Sequence, residues 1–403
     1  MGRGPGVRRD SRPPAGRPGR RERADHRREG ASVGESIGVG IVGAGAIFGQ
    51  YLDTLRRLRA VRVAAVADLD GERARAAVAD LDGVPATSLA ELVADPAVDV
   101  VLNLTPPAGH TPVALAAIAA GKAVYNEKPL AVTVDEGRRI LAAADRAGVR
   151  VGAAPDTVLG TGVQTARHAI DAGLIGLPTA ATATFACPGH ERWHPNPDFY
   201  YTAGGGPLLD MGPYYVTALV TLLGPVASVL GAGNMPRDTR TIGRGPRAGE
   251  RIPVDVATHV TGVLTHASGA LSTITMSFDA VATRAERIEV HGSDGSLVVP
   301  DPNHFDGDVL LHRLGGPDWE VLPVAAGYTT GGRGLGVAEL MTAPSAADVR
   351  TSGALALHVL DVMESVLASA REGHAVGVTE TAARPAAVPL ADEPGREPSP
   401  LLG

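Results

Sequence analysis

Residues 37–58, IGVGIVGAGAIFGQYLDTLRRL, limit the fold more than any other stretch: an apolar run meets a cluster of glycines, then Tyr51, Leu52, Leu55 and Leu58 recur at helical spacing. A strand that ends in a glycine turn and opens a helix is the first half of a β-α-β unit. Further apolar runs follow at VRVAAVADLD, VDVVLNLTPP, AVYNEKP and VRVGAAPD. Helices are predicted over about 72–79, 112–120 and 133–147, with ELVAD as a short turn between them. Strands this apolar, alternating with helices, imply a parallel sheet covered on both faces. The fold class predicted for 36–155 is α/β, a doubly wound domain.

Beyond Asp156 the rhythm changes. Helices are predicted over about 160–172 and from about Gly212 to 223, and β-like runs crowd between LPTAATATFAC and GDVLLHRL. Turn signals at SG and SDG suit antiparallel hairpins. Residues 156–351 are therefore expected to form an α+β domain on an open, mainly antiparallel sheet. An amphipathic helix in 352–378 is expected to pack back on the first domain. Residues 1–35 hold ten arginines and four prolines with few large apolar side chains, so a disordered tail is expected there, and another over 379–403. The net charge of −7 becomes −12 without residues 1–35, which argues against a nucleic-acid partner. No apolar run approaches the roughly 20 residues that cross a bilayer, so no membrane partner is expected. Cys187 is the single cysteine, which excludes an internal disulfide and is compatible with a cytoplasmic location.

The first glycine turn carries chemistry. Gly43 and Gly45 occupy the first two positions of a dinucleotide fingerprint, where a tight turn and close backbone approach to a pyrophosphate are needed; Ala46 and Ile47 complete the turn. The plain alternative is a structural turn in a glycine-rich chain. Its context favours a ligand: the turn opens a helix whose amides can hold phosphate, and Asp68 ends the next strand, where a carboxylate accepts hydrogen bonds from ribose. A carboxylate there repels a 2′-phosphate, so NAD is the expected cofactor of this Rossmann domain, with Arg73 near enough to leave NADP open.

Lys122 and Lys128 are the two lysines among 37 basic residues. Lys128 follows Glu127 beyond the carboxyl end of a predicted strand, the edge where open α/β sheets bind ligands. A lysine can lose its proton beside a cationic nicotinamide, and arginine cannot at useful pH. Downstream, in GGGPLLDMGPYY, Asp210 and Tyr214 stand four apart near a helix start. A lysine, a carboxylate and a phenol can share the proton of a substrate hydroxyl while its carbon gives up hydride. A helix-capping aspartate, a core tyrosine and a surface lysine are the plain alternatives.

VGIVGAGAI, VADLD, VDVVLNLTPPAGH, EKP, GGGPLLDMGPYY and the closing helix form an ordered set that resembles the glucose-fructose oxidoreductase, inositol dehydrogenase and rhizopine-catabolism (Gfo/Idh/MocA) family from about Ile37 to Val378. The resemblance implies a nicotinamide-dependent oxidoreductase of a sugar, inositol or related cyclic polyol, and a homo-oligomer, dimer or tetramer, joined through the second sheet. It implies that Lys128 is catalytic and that Asp210 is the aspartate of a D-x-G-x-H pattern. Tyr214 stands where many members have histidine; glucose-fructose oxidoreductase is similar to this chain in having tyrosine there. It also implicates Thr105, Pro106 and His110 of TPPAGH at the cofactor's edge, with Glu127 beside Lys128.

HERWH, residues 190–194, has the letters of the zinc-protease signature, yet prolines on both sides deny it a long helix, and no metal is expected. A loop over the site is the better expectation, with Trp193 offering a stacking face to a sugar ring and His190 and His194 bonding its hydroxyls. Residues 237–251 hold five arginines and are ranked as a solvated loop, then an oligomer contact, then an anion site. Two alternatives to a dehydrogenase or reductase stay open: a hydrolase that uses tightly held NAD transiently, and a non-catalytic NAD or sugar sensor on the same fold.

Overall fold

The structure is a computed structural model that describes residues 1–2 and 36–395. The predicted disorder of residues 3–35 and 396–403 lies outside the described residues. Residues 1–35 and Ser36–Gly403 form separate units, and everything below concerns the second.

Six strands build the first sheet: β1 (Ile37–Val42), β2 (Val61–Ala67), β3 (Ala86–Thr87), β4 (Val100–Asn103), β5 (Ala123–Asn126) and β6 (Val151–Ala153), ordered 3-2-1-4-5-6 and parallel throughout. The intervening helices are α1 (Phe48–Leu55), α2 (Gly71–Ala77), α3 (Leu89–Ala94), α4 (Pro107–Ala119) and α5 (Val134–Ala147). Burial on both faces explains why the strands lack alternation: Val39, Ile41, Val66, Val100, Leu102 and Val124 are all fully buried. Gly40 is glycine for packing, since a Cβ there would meet Leu92 Cδ2 of α3 at 2.6 Å.

The second sheet has nine strands. α6 (Thr161–Asp171) precedes β7 (Pro178–Ala186), and α7 (Pro207–Leu223) leads to β8 (Val226–Asn234). A separate two-stranded ribbon, β9 (Thr239–Thr241) with β10 (Arg251–Pro253), projects before β11 (His259–His266), β12 (Leu271–Ser277), β13 (Ile288–Gly292), β14 (Gly295–Val299), β15 (Leu310–Arg313) and β16 (Glu320–Val321). After α8 (Leu335–Thr342) and α9 (Gly353–Glu372), β17 (Val376–Gly377) closes the order 16-15-14-13-7-12-11-8-17. Only β7 and β12 pair in parallel, so the expected mainly antiparallel sheet is present. α9 corrects the expectation that no apolar run approaches bilayer length: by length and composition it could cross a membrane, and 67% of that window is buried inside the protein. It packs against β8 and α7 and also against α5 and β6, so one helix ties the two sheets together.

Several boundaries correct the sequence expectations. ELVAD is the body of α3, because Ser88 and Glu91 form a reciprocal capping box that starts a helix there. α4 begins at Pro107, five residues early, because a first-turn proline gives up an N–H that has no helical partner. α7 begins at Pro207 rather than Gly212 for the same reason, which leaves Pro213 inside the helix. The expected tail from 379 is ordered through 395 in large part: Thr379 and Glu380 donate backbone N–H groups to Asp361, Arg384 bonds Asp171 and two carbonyls of α7, and Val388 is fully buried. The arginine-rich 237–251 is mostly exposed, as its first-ranked reading expects, but it is not all loop: β9 and β10 lie in it, Arg240 is buried against Glu191 and Asp279, and Arg247 pairs with Asp198 and Glu250.

Candidate active site

The cofactor side forms at the carboxyl ends of β1, β2 and β4. Gly43 takes φ +103°, and a Cβ there would meet the Leu104 carbonyl carbon at 2.8 Å, so only glycine lets this turn pass the end of β4. Gly45 has open space on its Cβ side. Ile47 leads into α1, which has neither a side-chain cap nor an acidic residue in its first turn, so its amide end is unopposed. Asp68 accepts the Ala44 N–H at 2.8 Å through Oδ2 and the Asp70 N–H at 2.9 Å through Oδ1, which fixes the carboxylate beside the turn. Arg73 stands 3.6 Å from Asp68 and is half exposed. Thr105 is held by Asn103 at the end of β4, next to Pro106. An open glycine turn, an unopposed helix end and a fixed carboxylate fit a dinucleotide with a free ribose diol.

Two residues expected at the cofactor's edge, His110 and Glu127, are buried with their polar atoms bonded within the protein. His110 is fully buried, with Nδ1 2.6 Å from the Pro129 carbonyl and Nε2 2.9 Å from that of Thr105. Burial lowers its pKa against the pull of both carbonyls, and a neutral ring with its proton on Nδ1 satisfies the shorter contact. Its ring holds two segments of the site together, with both nitrogens taken up by backbone carbonyls. Glu127 is also buried, accepting from the Tyr51 hydroxyl at 2.8 Å and from the Lys128 backbone N–H at 2.7 Å. Beneath both, Asn103 donates to Asn126 at 3.0 Å, joining the ends of β4 and β5.

Lys128, Asp210 and Tyr214, the groups expected to handle a proton, come together. Lys128 Nζ donates to Asp210 Oδ1 at 2.8 Å and to the Asp210 carbonyl at 2.7 Å, leaving one donor unused. Asp210 Oδ2 faces His190 Nε2 at 3.0 Å. Tyr214, one turn along α7, lies with its ring 5.3 Å from Lys128 Nζ. Pro213 lacks the N–H that would close on Leu209, which loosens the turn where Lys128 takes a carbonyl. Burial opposes the charge on Lys128, but Asp210, Tyr214 and Glu127 outweigh it and hold the amine protonated well above the ordinary lysine range. Burial likewise opposes the Asp210 carboxylate, and Lys128 and His190 nevertheless draw its pKa down to about 2. Burial raises the pKa of Tyr214, so it is a phenol, with Lys128 and Arg333 working in the other direction.

HERWH folds as a short 3-10 turn, His190–Arg192, with its residues divided among different tasks. Glu191 is buried and taken up by the Tyr201 hydroxyl and by Arg240. Trp193 Nε1 donates to His190 Nδ1 at 3.1 Å, and the Trp193 side chain remains exposed. Burial works against an imidazolium at His190, yet Asp210 and Cys187 raise its pKa to about 9. The Trp193 N–H opposes that proton, and the neutral Nε2–H tautomer satisfies both of its contacts. His194 stands one ring further out, against Trp193, Phe199 and Tyr200, with its Nδ1 accepting from Asn196. The structure thus brings His190 into the Lys128–Asp210 pair and leaves Trp193 and His194 at the rim.

Sequence reasoning missed Arg333. It donates to the Tyr214 hydroxyl at 3.1 Å, to Asn303 Oδ1 at 2.7 Å and to Gln50 Oε1 at 3.2 Å. An arginine inside TTGGRGLG was the available signal, masked by a chain that writes arginine at nearly every basic position.

Residues 37–154 match a family described as "Oxidoreductase family, NAD-binding Rossmann fold", and residues 163–298 match "GFO/IDH/MocA C-terminal domain". The chain is 32% identical to a 1,5-anhydro-D-fructose reductase of Ensifer adhaerens over 64% of its own length and 74% of that protein. It is 36% identical to an inositol 2-dehydrogenase of Saccharopolyspora erythraea over 36% of this chain and 44% of that one. A crystal structure of an NAD-binding oxidoreductase from Klebsiella pneumoniae superposes with a TM-score of 0.73 and 26% identity, covering 86% of this chain and all of the other. With the glycine turn, the fixed Asp68 and the Lys128–Asp210 pair in place, the chain belongs to the Gfo/Idh/MocA family and is an NAD-binding oxidoreductase.

Proposed function

We propose that the protein transfers hydride between NAD and a hydroxyl-bearing carbon of a sugar, inositol or related cyclic polyol. The observation that carries this is the Lys128 ammonium, which is fixed by Asp210 and keeps one donor free beside the Tyr214 phenol. Gly43, Gly45, Ala46, Ile47, Asp68, Thr105 and Pro106 are the residues that would hold the cofactor, and nicotinamide when bound supplies the hydride acceptor or donor. Lys128 aims its free N–H at the reacting oxygen and stabilises charge that grows there. Tyr214, protonated in this structure, gives its proton to that oxygen in reduction and takes it back in oxidation. Asp210 holds Lys128 and, through His190, the approach from the second sheet. Trp193 offers an exposed ring face at the rim, suited to the apolar face of a sugar. The names of the Ensifer and Saccharopolyspora relatives support the substrate class.

Self-association through the open face of the second sheet belongs to this proposal. Leu230 and Val263, paired across β8 and β11, and Leu271 on β12 are exposed there. A cytoplasmic setting, with which the lone Cys187 is compatible, completes it.

The test is a panel of sugars, inositols and sugar acids, with their keto forms, followed by absorbance of reduced nicotinamide. On the best substrate, Lys128→Met should lower kcat by about 10²-fold or more with NAD still bound. Wild-type turnover by that variant would overturn the assignment of Lys128.

A further inference from the structure

We propose that Arg333 is a positioning residue that stabilises the phenolate form of Tyr214 and so governs how readily this phenol gives up its proton. The inference rests on the proposed role of Tyr214 in proton transfer and adds to it a residue from a distant part of the chain. The guanidinium lies with its carbon 5.4 Å from the centre of the Tyr214 ring and its Nη1 3.1 Å from the hydroxyl oxygen. Its other contacts, to Asn303 and Gln50, are to neutral side-chain carbonyls, and among the described residues Arg333 forms no ion pair within salt-bridge distance. A guanidinium kept from direct pairing keeps its charge available for an anion that forms during reaction.

The surroundings of Tyr214 supply the rest. Lys128 and Glu127 face it from the end of β5, Asp210 from its own helix, Arg333 from the loop before α8, and Tyr200 from the segment after HERWH. Lys128 is already committed to Asp210 through two of its three donors, and among the described residues no other cation directly bonds the phenol oxygen. In reduction the Tyr214 O–H bond breaks, its proton passes to the substrate oxygen, and the pair of electrons left on the phenol oxygen faces Arg333 Nη1. In oxidation the same contact favours the phenolate that accepts the proton. Either way the hydrogen bond strengthens in the charged state, the condition for it to aid the reaction.

The loop is built to hold that arginine in place. Asp156 Oδ2 accepts the Gly334 N–H at 2.8 Å and the Gly336 N–H at 3.0 Å, fastening the residues just after Arg333. On the other side, the backbone of 326–330 pairs with 388–392: Gly327 N–H reaches Val388, Thr329 N–H reaches Ala391, and Thr330 N–H reaches Asp392. Both anchors act on backbone, so Arg333 is set by the fold and is not free to follow its own solvation.

The decisive measurement is the titration of Tyr214 by NMR of protein carrying tyrosine labelled at Cζ, the Tyr214 resonance being the one missing from Tyr214→Phe. In Arg333→Gln the phenol should titrate about one to two pH units higher than in wild type, the equivalent of one charge-assisted hydrogen bond. Arg333→Lys, which keeps the charge and loses the fork, should fall between them and serves as the comparison if Arg333→Gln does not fold. A phenol that titrates in wild type but stays protonated to about pH 11 in Arg333→Gln also supports the proposal. Identical behaviour in the variants and wild type, including no titration in any of them, overturns it. On the best substrate of the panel, the limb of the kcat/KM profile that reports the phenol should move upward by the same amount. Full turnover by Tyr214→Phe would instead remove the underlying role of Tyr214 and leave the titration result standing.

Discussion

Asp68 shows how much one side chain can settle. Both of its oxygens are fixed by backbone N–H groups, from Ala44 in the glycine turn and from Asp70, so the carboxylate is oriented before any ligand arrives. Asp68→Ala should weaken NAD binding by about tenfold or more, the loss of a hydrogen bond to a charged acceptor, and should narrow the preference over NADP because Arg73 loses its partner. Calorimetric titration with both nucleotides checks this; an unchanged ratio of affinities would refute it. Residues differ in how far they declare themselves. Lys128 was conspicuous because lysine is rare in this chain, but its contact with Asp210 could be seen only in space. Its protonation did not follow from residue type, since that depends on burial and on charges that arrive from other segments. Arg333 declared nothing, because one arginine among many acquires meaning only from what lies within reach of its guanidinium.

At the scale of elements, local rules that were present in the sequence account for most of the differences. The capping box at Ser88 and Glu91 was legible and was overlooked, as was the fitness of Pro107 and Pro207 for a first helical turn. The segment after Thr379 is a different case. Its Pro and Ala content reads as a tail, and it is ordered because distant residues offer partners: Asp361 and Glu380, Arg384 and Asp171, Val388 and Gln164. Truncation after Val378 should therefore lower the melting temperature by more than about 5 °C, from loss of several hydrogen bonds and buried side chains. It should also reduce turnover more than NAD affinity, because the strap it removes anchors the loop of Arg333. Equal melting temperatures and equal turnover would show that the strap does neither.

The whole molecule converges on a few buried charges. Asp156 is fully buried, its Oδ1 has no hydrogen-bond partner, and burial pushes its pKa up to about 6, against the pull of the Gly336 and Gly334 amides and Arg333. An acid whose folded pKa lies above its unfolded value binds its proton more tightly when folded, so stability is lost as pH rises between the two values and is level above and below them. Relative to Asp156→Asn, the wild type should lose about 3 kcal/mol at most between about pH 4 and pH 6. Denaturant titrations of both proteins across that range measure the difference, and a constant gap would rule the effect out. By itself, the sequence determined the doubly wound domain, its glycine turn with Asp68, the mainly antiparallel second sheet, and the pairing of lysine with aspartate and tyrosine as candidate chemistry. It could do so because periodicity, turn residues and side-chain functional groups are local properties. Only the tertiary structure decided that Asp210 holds Lys128, that His190 completes the Asp210 pair, that His110 and Glu127 are buried with their polar atoms bonded, and that Arg333 reaches Tyr214. Those depend on burial, on charge at short range and on chain segments up to 119 residues apart, none of which is encoded in any one window of sequence.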